Sequence, residues 1–430
     1  MAIAAWVILA HIAVPRLLLH HHPQEPRAPM VRTGLEVMVA EDFKPLQGKT
    51  IGLITNHTAT DRHGRHIVEL FLRAKNVRLA ALFAPEHGFR GGRAAGEKIA
   101  MQSDSASGLP VYSLYGATRK PTAEMLRGLD GLVFDMQDVG ARFYTYISTM
   151  GLALEAAAEA DLEFYVLDRP NPIGGRVEGP ILEAEYRSFV GVHPIALRHG
   201  MTIGELARMF LGEKWIASSP HANNFAGQTQ THWSKLRIIP MQNWRHAQLF
   251  SETGLPWIAP SPNMTSPQTA LLYPGMALLE ATNFSEGRGT NRPFEVIGAP
   301  WLNPLRLMQE LQNDATGIEF DSTRFTPVDI PGKAMNPKFE NQECLALELT
   351  ITAPHRFEAV RFGIALLCAL QKIHPEEFIT NEQGLARMSG VAWLYERIRS
   401  GDSPATIWEK IENDTQDFRR LRNKYLLYED

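Results

Sequence analysis

The chain has 430 residues, 44% hydrophobic and 21% charged, with 43 basic against 47 acidic side chains and a formal net charge of -4. That length exceeds what one hydrophobic core usually serves, so about two domains are expected, and the charge balance lacks the basic surface that nucleic acid demands. Its two cysteines, Cys344 and Cys368, form no CxxC pair, which argues against both a disulfide framework and a cysteine metal site.

Ala2 to Leu19 is apolar apart from His11 and Arg16 and resembles a signal or anchoring segment, although no basic stretch precedes it and no Ala-x-Ala site follows. The alternative is a true start at Met30, where the globular sequence opens. Export or anchoring implies a periplasmic, secreted or membrane-attached protein; a start at Met30 implies a cytoplasmic one. Residues 1–30 are therefore set apart from a first domain over 31–255 and a second over 256–430.

From Lys49 a short apolar run, a polar cluster and a helical stretch recur. The runs are Thr50 to Thr55, Val77 to Ala84, Pro110 to Leu114, Gly131 to Met136 and Glu163 to Leu167, with Leu236 to Pro240 as a last strand. Helices are expected over Gly64 to Lys75, Pro121 to Arg127 and Phe143 to Ala160, and a capping box at Thr202 and Glu205 predicts another to about Phe210. This alternation predicts an α/β, Rossmann-like domain with a mostly parallel sheet, followed by a smaller α+β auxiliary domain. Ligands bind such sheets beyond the carboxyl ends of the strands.

Four strand ends carry polar clusters. They are Asn56-His57-Thr58, then Glu86-His87-Gly88, then Asp135 to Arg142 with Gln137 and Asp138 between, and Asp168-Arg169. Asn56, Thr58 and Asp168 also suit turns or helix caps. Glu86 suits a turn less well, and Phe83 and Phe89 give it the low-polarity flank a general acid needs. Were the Gly131 to Met136 strand to persist to Gln137, Asp135 and Gln137 would share one face, while Asp138 would face away or belong to the loop. In the second half, Glu286-Gly287-Arg288-Gly289-Thr290 is a glycine-flanked arginine suited to an anion or a sugar, or else a surface ion pair.

Sharper signatures are missing. No HExxH, GxSxG or P-loop pattern occurs, and Asn-His-Thr stands after the first strand where a dinucleotide binder would carry GxGxxG. No cofactor, metal or dinucleotide is expected, and carboxylate chemistry remains.

Thr33 to Val37, Gly52 to Thr58, Pro85 to Gly91, Phe134 to Tyr146, Asp168 to Pro172 and Glu286 to Thr290, taken in order, resemble the exo-acting β-N-acetylmuramidase family, the NamZ/YbbC-like peptidoglycan hydrolases. The resemblance runs from Thr33 to the C-terminus. It implies a Rossmann-like domain that binds no dinucleotide, an auxiliary C-terminal domain and an active site between them. It also implies release of terminal N-acetylmuramic acid from the non-reducing end of peptidoglycan-derived muropeptides or disaccharides, with Glu86 matching the proposed catalytic acid.

Glycoside hydrolysis then requires a second carboxylate or the substrate's own acetamido group. Asp135 and Asp138 are both candidates. For the lactyl carboxylate the arginine candidates are Arg288, Arg142 and Arg198, in that order. Asn56, His57, His87, Gln137, Glu286 and Thr290 complete the expected binding set. Tyr144, Tyr146 and Phe294 suit a sugar face or the core. Two other readings stay open: a non-catalytic cell-wall sugar-binding protein, and a metal-dependent hydrolase using His57, Glu86, His87 and Asp138.

Overall fold

A computed structural model describes residues 30–91, 102–216 and 233–430; the segment 2–19 discussed above and Gly92 lie outside the described residues. Six parallel strands form the central sheet: β1 (Thr50–Thr55), β2 (Arg78–Ala84), β4 (Pro110–Ser113), β5 (Gly131–Asp135), β6 (Glu163–Leu167) and β9 (Leu236–Ile239). A short antiparallel strand, β3 (Gln102–Ser103), joins one edge, giving the order β3-β4-β2-β1-β5-β6-β9. The winding direction reverses between β1 and β5, which opens a crevice at their carboxyl ends.

Residue alternation explains why both faces are covered. Ile51 and Leu53 point into one apolar cluster beneath α1 (Gly34–Ala40) and α2 (Ile67–Arg73). Ile54, Phe83 and Phe134 point into the other, beneath α3 (Tyr146–Glu159) and α4 (Ile203–Gly212). At the head of α4 the predicted capping box is complete, with Thr202 Oγ1 accepting from Glu205 N and Glu205 Oε2 accepting from Thr202 N at 2.9 Å. Asp168 caps the same helix, its Oδ1 accepting from Gly204 N at 2.9 Å.

Two expectations are corrected. Pro121 to Arg127 is a succession of turns, closed by Gly128 in a left-handed conformation (φ 79°). β5 stops at Asp135, so Gln137 does not share its face as a strand residue, and Asp138 belongs to the following loop, the second of the two positions open to it.

A hairpin of β7 (Glu178–Ile181) and β8 (Ala196–Arg198) connects to the second half. There β10 (Val296–Ala299), β11 (Ile318–Phe325) and β12 (Cys344–Ile351) form an antiparallel sheet in the order β10-β12-β11. α5 (Pro267–Met276) and α7 (Ala359–Ile373) cross at paired glycines; a Cβ on Gly275 would lie 1.9 Å from Ala359 O, so no side chain fits there. α6 (Pro304–Leu311), α8 (Glu382–Ser389), α9 (Trp393–Arg399) and α10 (Pro404–Arg422) complete this half. Beyond α10 the chain returns to the parallel sheet, where Tyr428 donates to Asp168 Oδ2 at 2.6 Å and Leu427 N donates to Glu205 Oε1 at 2.8 Å. No described helix is long and apolar enough to cross a membrane.

Candidate active site

Where the carboxyl ends of the parallel strands meet the second half, a cavity of about 360 Å³ opens. Its sheet side carries Glu86 and His87 after β2, Tyr115 after β4, and Phe143, Tyr144 and Thr145 before α3. Its far side carries Tyr273, Asn263, Glu280, Arg288 and Phe294, and Arg387 stands at the end of α8.

Glu86 is 9% exposed. Thr145 Oγ1 donates to Glu86 Oε2 at 2.7 Å, and the Tyr115 hydroxyl lies close enough to the carboxylate to feel its charge. Burial and the Glu86 charge push the Tyr115 hydroxyl up to about 12, so it remains a donor. His87 follows in a left-handed conformation (φ 67°), which turns the chain sharply at the cavity wall.

Aromatic rings form the floor. Tyr144 meets Tyr146 edge-on at 4.8 Å and Tyr273 at 6.0 Å, and Tyr273 meets Phe294 at 5.0 Å, so the rings run unbroken from one half of the molecule to the other. Burial raises the Tyr144 hydroxyl well above its ordinary range. Tyr146 is spent on the core: its hydroxyl donates to Pro260 O at 2.7 Å and accepts from Asn56 Nδ2 at 2.8 Å.

Of the residues expected from sequence, the structure brings Glu86, His87, Tyr144 and Arg288 to the cavity. Others stand behind it as bracing. Asn56 Oδ1 accepts from both Thr58 N and Thr58 Oγ1, and Thr58 Oγ1 accepts from Gln137 N at 3.0 Å, which ties the loops after β1 and β5 across the crevice. The Gln137 amide donates to Asp138 O and Pro170 O, both at 2.8 Å. His57 Nε2 pairs with Ala259 O at 2.8 Å, and burial lowers its pKa.

The two aspartates differ. Asp135 is fully buried and clasped bidentately by Arg169; burial nonetheless leaves its pKa above the usual value. Asp138 accepts from Gly140 N at 2.7 Å through Oδ2, while its Oδ1 is buried without a hydrogen-bond partner.

Arg142 and Arg198 lie away from the cavity with their guanidinium groups committed. Arg142 donates to the carbonyls of Pro180 and Ile195 (2.9 Å each), Met388 (3.1 Å) and Ser389 (2.7 Å), and burial pushes its pKa down to about 9. Arg198 pairs with Glu178 and with Ile173 O. Thr290 closes a turn by donating to Gly287 O at 2.7 Å. Arg288 reaches Glu280 at 2.8 Å and Glu286 at 3.5 Å, lies over the Phe294 ring at 5.1 Å, and is held firmly charged by those carboxylates. Glu286 in turn accepts from Lys338 Nζ at 2.8 Å.

Tyr115, Thr145, Glu280 and Arg119 were missed from sequence. Applying the strand-end rule to the third parallel strand would have found Tyr115, and Thr145 lies inside the run already singled out. Arg119 and Glu280 carry no such signal. Among the described residues, no group of three His, Cys, Asp or Glu side chains is arranged to hold a metal ion.

A cavity at the switch point of a parallel sheet, with a hydrogen-bonded carboxyl above an aromatic floor, has the features of a glycosidase site. The chain matches the model described as Exo-beta-N-acetylmuramidase NamZ, N-terminal, over residues 51–268 and its C-terminal counterpart over 271–428, and it belongs to this family. It is 41% identical over 408 residues to the peptidoglycan beta-N-acetylmuramidase NamZ of Bacillus subtilis, covering 94% of this chain and 93% of that one. Two crystal structures of DUF1343 family proteins from Bacteroides fragilis are also similar. One has a TM-score of 0.83 at 35% identity and the other 0.72 at 32%, each covering 94% of this chain and 100% of its own.

Proposed function

We propose that this enzyme is an exo-β-N-acetylmuramidase that removes terminal N-acetylmuramic acid from the non-reducing end of peptidoglycan fragments, with Glu86 as the general acid. The observation that carries the reading is the position of Glu86 on the cavity wall, oriented by the Thr145 hydroxyl beside Tyr115. The Thr145 donor limits the freedom of the carboxyl to turn from a glycosidic oxygen. The aromatic floor offers apolar faces for a pyranose ring.

For the second group, the reading takes the substrate's own 2-acetamido oxygen. Asp135 is taken up by Arg169, Glu280 by Arg288, and Glu286 by Lys338. Asp138 keeps one unpartnered oxygen, but that oxygen is buried near Tyr146 and outside the cavity lining. Tyr144, on the cavity floor, supplies a protonated hydroxyl there.

The test is Glu86→Gln, which keeps the shape and one acceptor but carries no transferable proton. On a muramic acid-containing disaccharide, kcat should fall by about 100- to 10,000-fold. On a nitrophenyl muramide, whose leaving group needs little protonation, the loss should be much smaller. Full retention on the disaccharide would sink the assignment.

A further inference from the structure

The two sides of the cavity differ in charge. On the far side, Arg288 and Lys338 are matched by Glu280 and Glu286, two cations against two anions within one bonded cluster. The cation that the sequence favours for an anionic ligand is thus already neutralised. On the sheet side Arg119 lines the same cavity, and among the described residues it has no ion-pair partner; nor has Arg387, at the end of α8 on the far side.

Arg119 is nevertheless positioned. Its guanidinium carbon lies 4.4 Å from the centre of the Phe189 ring and 5.8 Å from that of Tyr115, and these two rings lean together at 5.7 Å. Ring faces hold a guanidinium by cation–π attraction and leave its in-plane N–H groups free to meet a carboxylate. Tyr115 also neighbours Glu86 on the cavity wall, within reach of its charge. One phenol ring therefore spans the distance from the acid that would protonate the glycosidic oxygen to the arginine. The lactyl ether of muramic acid sits two ring carbons from the anomeric centre, so its carboxylate is offered at about that reach.

We infer that Arg119, seated on Phe189 and Tyr115, receives the lactyl carboxylate of the terminal sugar and makes the enzyme selective for muramic acid over its lactyl-free counterpart. This rests on the muramidase reading above. Arg288 then serves to hold Glu280 and the Phe294 ring.

The experiment compares nitrophenyl N-acetylmuramide with its lactyl methyl ester, which removes the charge and little else, for wild type and for Arg119→Ala and Arg119→Lys. Wild type should prefer the free acid, chiefly through KM, by about 10- to 100-fold, the worth of a charge-assisted hydrogen-bonded pair. Arg119→Ala should lose that preference, and Arg119→Lys, with charge but no fork, should keep part of it. Arg119 is exposed, so the variants are expected to fold, and circular dichroism checks this. An unchanged acid-to-ester ratio in Arg119→Ala would overturn the inference while leaving the muramidase reading intact. Wild type inactive on the free acid would overturn both.

Discussion

Replacing His193 with glutamine should alter how the protein responds to acid. His193 precedes β8, is 8% exposed, and packs against Phe210 at 4.1 Å and parallel to Trp215 at 5.6 Å. Burial, helped by the charge of Arg187, lowers its pKa from 6.5 to about 4. The folded protein therefore resists a proton that the unfolded chain accepts, so stability is full above pH 6.5 and is lost as the pH falls toward 4. Between pH 7.5 and 4.5 this displacement amounts to about 2.5 kcal/mol. Asp168 runs the other way: burial raises it to about 6 despite its hydroxyl partners, so the folded state takes up that proton first and gains as the pH falls. A wild-type profile alone would mix the two. Subtracting the profile of His193→Gln, measured by urea unfolding at each pH, cancels every group the two proteins share. The wild-type advantage should shrink by about 2.5 kcal/mol across that range. A change below about 0.5 kcal/mol would refute the link between ring burial and acid sensitivity.

Two further outcomes follow from the bracing around the cavity. Arg142→Met removes a cation but orphans the carbonyls of Pro180, Ile195, Met388 and Ser389, and the loss should be about 3–5 kcal/mol by denaturant unfolding, unless water enters. Gly91→Ala places a methyl carbon 2.0 Å from the His57 ring at a φ of 70°, so the ring must leave Ala259 O; muramide turnover should fall and the melting temperature should drop by several degrees.

The parallel sheet was legible because each strand is a short apolar run closed by a polar cluster, and Glu86 was legible because it stands at such a closure. The fates of the arginines were not. Arg142, Arg198 and Arg288 look alike as sequence, yet the first meets four carbonyls, the second a buried glutamate and the third a carboxylate pair; Arg142 and Arg198 depend on other segments, such as Met388 for Arg142, while Arg288 forms the local ion pair that its own motif also suits. Arg119 was invisible for the same reason, since Phe189, the ring beneath it, arrives from a loop seventy positions later and no local pattern records the meeting. The turns at Pro121 to Arg127 escaped because their composition is helical, and the left-handed Gly128 that closes them shows only in the backbone.

The bond between Tyr428 and Asp168 has a consequence for how the molecule is made. A ribosome delivers the parallel sheet well before residue 428, so for most of synthesis Asp168 and Glu205 lack the hydroxyl and the amide that later complete them. The first half then waits, nearly assembled, for a strap supplied at the end of translation. A chain stopped after the sheet would carry two buried acids with donors missing, and quality control would meet it as an unfinished protein and not as a smaller one.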